Sequence, residues 1–133
     1  MKKYRIGLFA GYILCVLWIT LIDRVSTERR AMLVPFWEFA SIIKGVERSF
    51  YIGQILGNLT MLMPMGFMLP MLRKTTWKQV LLTALLFSVF IEVTQYITCR
   101  GLMEFDDVFN NTVGAVFGYW VFKAIQRKSQ RPK

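Results

Sequence analysis

The 133-residue chain contains no histidine, so it can build neither an imidazole metal site nor a Ser-His or Cys-His nucleophile pair from its own residues. Chemistry in this chain must come from carboxylates, amides, hydroxyls, Arg or Lys. Cysteine is nearly absent: Cys15 and Cys99 stand far apart. Placed at membrane depths that differ by roughly 10 Å or more, they are beyond disulfide reach and read as buried packing residues. Acidic residues are also scarce, 8 against 17 Lys and Arg, for a net charge of +9. Internal repeats and low-complexity segments are missing. What is present is apolar: 55% of residues are hydrophobic and 15% aromatic, too much for disorder and unusual for a soluble domain.

The apolar residues fall into four runs, 6–22, 52–72, 80–97 and 108–122, against the roughly 17–25 residues a spanning helix needs. The expectation is an all-α integral membrane protein, a single domain over residues 1–133 with four transmembrane helices and a flexible basic tail, 123–133. The fourth run is short and opens on Asn110-Asn111. Charge sets the orientation: residues before the first run carry +3, residues 73–79 carry +3 and the tail carries +5, whereas residues 23–51 carry +1 and residues 98–107 carry −2. Basic loops stay cytoplasmic, so both termini are expected inside and the segments 23–51 and 98–107 outside. The basicity then reflects topology, and a nucleic-acid partner is not expected. The first run lacks a small-residue cleavage pattern and reads as an uncleaved anchor. Between runs one and two, Phe39, Ile42, Ile43 and Val46 have helical spacing behind Pro35. That pattern suits an amphipathic segment in the outer interface or, equally, a cap over the bundle.

Polar side chains inside these runs single themselves out, because an ionisable group at membrane depth needs a cavity or a partner. Ser88, Glu92 and Gln95 share one helix face. Asp107, Asn111, Gly114 and Gly118 share another, about 60° wide at about 100° per residue. Gly114 and Gly118 have the spacing of close-packed membrane helices. Run two contributes Asn58, two prolines expected to kink it (Pro64 and Pro70), Gly66, and five of the eight methionines. Those methionines suit either a lipid groove or the irregular space beside a kink. The expected orientation puts Asn58, Glu92, Gln95, Asp107 and Asn111 at one depth in the outer half. Arg100 lies just above as the expected counter-ion of Glu92 or Asp107. These six are the candidate ligand-binding residues, and Glu92 and Asp107 the catalytic candidates. Asp106 is expected to be solvated. Apart from the adjacent pair Asp106-Asp107 no acidic metal motif stands out, and neither metal nor cofactor is assigned. Glu92 as a mere hydrogen-bond anchor between helices remains an open alternative.

Three motifs in this order, Asn58…Pro64-x-Gly66…Pro70, Ile91-Glu92-x-x-Gln95 and Asp107-x-x-x-Asn111-x-x-Gly114-x-x-x-Gly118, resemble the VanZ-like family. Pro35-Phe36 matches that family's segment ahead of its second helix, and Glu104 stands where the family pattern has Asp. The resemblance covers roughly residues 33–120. It implies a bacterial cytoplasmic-membrane protein of a family associated with low-level teicoplanin resistance. Two functions follow as expectations. One is an envelope factor whose pocket binds a membrane lipid, a lipid-linked wall precursor or the acyl tail of a lipoglycopeptide. The other is a membrane enzyme acting on a lipid or lipid-linked precursor, with Glu92 or Asp107 as acid/base and Arg100, Asn58 and Asn111 holding oxygens. A scaffold whose polar groups only specify packing is the third.

Overall fold

A computed structural model describes residues 2–25 and 28–129. Its elements are α1 (Lys2–Leu17, continued by a π-helical turn Trp18–Ile22), β1 (Ala31–Met32), α2 (Trp37–Ile43), α3 (Arg48–Leu72), α4 (Trp77–Thr98), β2 (Met103–Glu104) and α5 (Phe105–Ser129). Three helices are long and apolar enough to cross a membrane: Lys2–Ile22, Arg48–Leu72 and Trp77–Thr98. The fourth expected run forms α5, which is longer than the sequence suggests. It begins at Phe105 and carries the basic stretch to Ser129 as helix, while residues 130–133 lie outside the described residues. Its polar ends, Asp106, Asp107, Asn110 and Asn111 at one and Arg127 and Lys128 at the other, keep it out of the apolar class.

Local sequence explains the boundaries. Thr76 and Gln79 form a reciprocal capping box at the start of α4, with Thr76 N–H donating to Gln79 Oε1 at 2.9 Å and Gln79 N–H to Thr76 Oγ1 at 3.4 Å. At its end Cys99 adopts a left-handed conformation (φ 54°) and closes the helix through Gln95 O. Cys99 is half-buried and Cys15 is exposed on α1, so the expectation of two buried packing cysteines is corrected. Cys15 lies on the outward face of a helix whose buried residues before the π turn reduce to Val16. Helix α3 stays continuous through Pro64 and Pro70.

Small residues hold the centre together. A Cβ placed on Gly66 would overlap the carbonyl of Ala115, one on Gly114 the carbonyl of Leu59, and one on Gly118 the carbonyl of Met63. Backbone-to-backbone approach of α3 and α5 therefore requires glycine at all three positions. Leu62, Met65, Val80, Ala84, Ile91 and Ala115 complete the buried core, and Tyr12 donates its hydroxyl to Met61 O at 2.6 Å to bring α1 onto α3. The outside is equally apolar, with Leu8, Leu14, Leu82, Leu86, Phe90, Ile97 and Phe117 exposed. A surface of this kind suits a lipid surrounding far better than water.

One end of the bundle is capped. β1 and β2 pair in parallel, Ala31 with Met103 and Met32 with Glu104, which draws the segment after α1 onto the α4–α5 connection. Helix α2 lies against α3 beside this pair. Phe36, left-handed at φ 59°, packs its ring edge-on against Phe39, Phe105 and Phe109. The long segment between α1 and α3 is thus a cap.

Candidate functional site: a buried acidic cluster under the cap

Five of the eight acidic residues are buried together at the capped end: Glu38, Glu92, Glu104, Asp106 and Asp107. None of the described Lys or Arg residues is buried. The only ion pair among the described residues, Arg30 with Glu28 at 2.6 Å, is on the surface. Buried charge is costly unless paired, hydrogen-bonded or metal-bound, so the neutral donors around the cluster carry much of the burden.

Each acid has a structural reason to be where it is. Asp106 accepts from the backbone N–H of Phe36 at 2.6 Å and of Glu38 at 3.0 Å. It thereby caps the start of α2 from another element, satisfying donors that a helix leaves unpaired. The expectation that Asp106 is solvated is corrected: the cap covers it completely. Glu92 accepts the backbone N–H of Glu104 at 2.9 Å, fixing the strand that leads into α5. Asn58 Nδ2 donates to Asp107 Oδ1 at 2.5 Å, and Gln54 Nε2 to Glu104 Oε2 at 3.0 Å, so one face of α3 supplies two amides to two acids. Asn110 Nδ2 reaches Glu38 Oε2 at 3.3 Å. One turn deeper, Asn111 donates to Ser88 Oγ at 3.0 Å, linking α5 to α4.

Two expected members make their hydrogen bonds outside the acidic cluster. Gln95 is buried and donates to Thr20 O at 2.9 Å, tying α4 to the π turn of the first helix. Arg100 is exposed and directs Nη1 to the carbonyls of Leu21 and Ile22, both at 3.4 Å. It is therefore not the counter-ion of Glu92 or Asp107: carbonyls at the end of the first helix capture it. The cation whose field reaches both acids is Arg24, which also borders a cleft of about 500 Å³ with Ser49, Phe50, Gly53, Gln54, Asn58 and Asp107.

Electrostatics outside the spanning helices follow from this crowding. Burial, with added repulsion from Asp107 and Asp106, pushes the Glu38 carboxyl up to about 7, against the Asn110 hydrogen bond. Glu104 is likewise raised, by burial first and then by repulsion from Asp107 and Glu38.

At the opposite end, an apolar groove of about 430 Å³ lies among α1, α3 and α5, lined by Met63, Pro64, Phe67, Met68 and Met71 together with Arg5 and Leu8 of α1. Of the five methionines of α3, Met63, Met68 and Met71 border this groove with Pro64, whereas Met65 lies in the core and Met61 packs against it.

A model of the VanZ/LLP1 family matches residues 9–126. The chain belongs to the VanZ-like family. No curated protein and no solved structure shows a significant match. The matched stretch of this VanZ-like protein holds every residue of the acidic cluster and its amide donors. Sequence reading of the VanZ-like chain picked out Asn58, Glu92, Asp107 and Asn111, because polar groups within apolar runs are conspicuous. It passed over Glu38, Glu104, Gln54 and Asn110 as members of the site. The one available signal was Glu38 itself, a lone acid inside the apolar stretch from Met32 to Ile43.

Proposed function

We propose that this VanZ-like protein is a multi-pass membrane protein that binds a lipidic or lipid-linked envelope ligand at its capped, outward-facing end and thereby contributes to glycopeptide resistance. Four helices cross the membrane with both termini cytoplasmic, in keeping with the basic segments before α1, between α3 and α4, and after α5. The cap then lies at the outer leaflet, where exposed Leu33, Val34, Ile43 and Val46 meet the interface.

The observation that carries the reading is the cleft beside Asp107 and Asn58. It joins a polar floor to an exposed cation, Arg24, at the end of a bundle whose flanks are apolar. A ligand with a lipid anchor and a polar, anionic head matches both features: the anchor stays in the bilayer while Arg24 and the amides of Asn58 and Gln54 receive the head. The test is binding of a lipid-linked wall precursor, and separately of teicoplanin, to purified protein in bilayer discs. Binding that is lost in Arg24→Ala and Asn58→Ala supports the proposal. Absence of binding to either probe by the wild type contradicts it.

A second reading, catalysis on a lipid-linked substrate, draws support from the Glu104–Asp107 carboxyl pair beside the same cleft. Two adjoining carboxyls, with Glu104 raised by burial, are equipped for acid/base work. In that case incubation with the lipid-linked precursor yields a new product, and Asp107→Asn abolishes it while leaving binding intact.

A further inference from the structure

We infer that Glu38, Glu104 and Asp107 form a binding site for one hard divalent cation, with Ca²⁺ favoured by the donor set. One carboxylate oxygen from each of the three residues lies within 4.8 Å of the others, and all three residues are buried. They come from α2, β2 and α5, so the arrangement is made by the tertiary fold and by the β1–β2 pairing.

A cluster of acids alone does not make a metal site. The deciding feature is Glu38 Oε1, which is buried and has no hydrogen-bond partner, in a side chain that is 0% exposed. Its other oxygen takes the Asn110 amide. The remaining two acids also receive a single amide each, from Gln54 and Asn58, which leaves coordination capacity on every member. Second-sphere amides holding ligating carboxylates are the usual support of such a centre. Among the described residues no buried Lys or Arg neutralises the cluster, and a dication would do so from within.

The donor set decides the kind of ion. Three carboxylates without nitrogen or sulfur select hard cations. Three carboxylates brought together from three separate elements suit Ca²⁺, which takes about six to eight oxygens in irregular geometry, better than Mg²⁺, which demands a near-ideal octahedron and is usually held by one or two carboxylates. The cleft bordering Asp107 gives an entry path and leaves room for water ligands. The inference stands apart from the identity of any organic ligand in that cleft.

The experiment is a titration of Ca²⁺, Mg²⁺ and Mn²⁺ into chelator-stripped, detergent-purified full chain at pH 7.5, read by equilibrium dialysis and thermal midpoint. One ion per chain is expected, with Ca²⁺ preferred over Mg²⁺, and a loss of affinity of at least tenfold in Glu38→Gln and in Glu104→Gln. Glu28→Gln, which removes an exposed acid, binds as wild type. No binding of any of the three ions by the wild type, or wild-type affinity in both Gln variants, overturns the inference and leaves protons as the cluster's neutralising charge. Should the Gln variants fail to fold, Mn²⁺ resonance on the wild type decides. A single all-oxygen site displaced by Ca²⁺ supports the inference, and Mn²⁺ with nitrogen coordination or only free-ion signal overturns it.

Discussion

Glu92, buried in the middle of the polar face of α4, accepts the backbone N–H of Glu104 at 2.9 Å. An acid in an apolar helix thus holds the strand that carries another acid into the cluster. The bond spans only 12 residues of sequence, yet it sets where β2 meets β1 and hence where Glu104 stands relative to Glu38 and Asp107.

Removing that acceptor leaves a buried donor unpaired, which costs about 1–3 kcal/mol. Glu92→Ala is expected to lower stability by that order, while Glu92→Gln, which keeps an oxygen acceptor, loses less. Thermal unfolding of both variants in the same detergent checks the ranking.

The α3–α5 contact predicts a sharper result. Gly114→Ala and Gly66→Ala force a methyl into backbone carbonyls of Leu59 and Ala115, and separating two packed helices costs about 1–3 kcal/mol or more. Gly7→Ala, where nothing lies within 4 Å, serves as the control and is expected to be neutral. Equal melting points for all three would show that the helices do not approach through these glycines.

Stability should also depend on pH through Glu38. Its carboxyl is raised from 4.5 to about 7 in the fold, so the folded state binds the proton more tightly than the unfolded one. The contribution is fully present below pH about 4.5 and is lost as pH rises through about 7. In chelator, the unfolding midpoint is expected to fall across that window, and Glu38→Gln to flatten the fall. A midpoint that rises over the same window contradicts the direction of the shift.

Much of this was legible in the residues, and what was not has a physical cause. Apolar runs of spanning length mark α1, α3 and α4 because lipid-facing and core-facing positions are both apolar, and the small-residue spacing of Gly114 and Gly118 marks a close approach. The start of α5 at Phe105 was obscured by its acids, which pattern alone assigns to solvent. Glu38 and Glu104 sit in the short elements α2 and β2 and Asp106 in the first turn of α5, positions where an acid is ordinarily hydrated. Only the pairing of Ala31 and Met32 with Met103 and Glu104, a contact between distant segments with no periodic signature, brings them under the cap. Arg100 was misassigned for a related reason: charge complementarity in sequence carries no direction, and nearby carbonyls of Leu21 and Ile22 compete for the guanidinium.

Orientation is open to direct labelling. With cysteine-free protein as background, Lys74→Cys in the α3–α4 turn is expected to react with a membrane-impermeant thiol reagent only after permeabilisation. Glu47→Cys beside α2 is expected to react in intact cells. The opposite pattern would invert the protein and place the acidic cluster on the cytoplasmic side.

The central claim is that the resistance-associated function resides in the acidic site under the cap, and drug susceptibility tests it most directly. Cells expressing wild type, Glu92→Gln or Asp107→Asn would be challenged with teicoplanin and with vancomycin, with membrane levels of each protein measured alongside. The account predicts teicoplanin protection by the wild type and its loss in both variants at normal membrane levels. Full protection from both variants would contradict it, as would no protection from a normally inserted wild type.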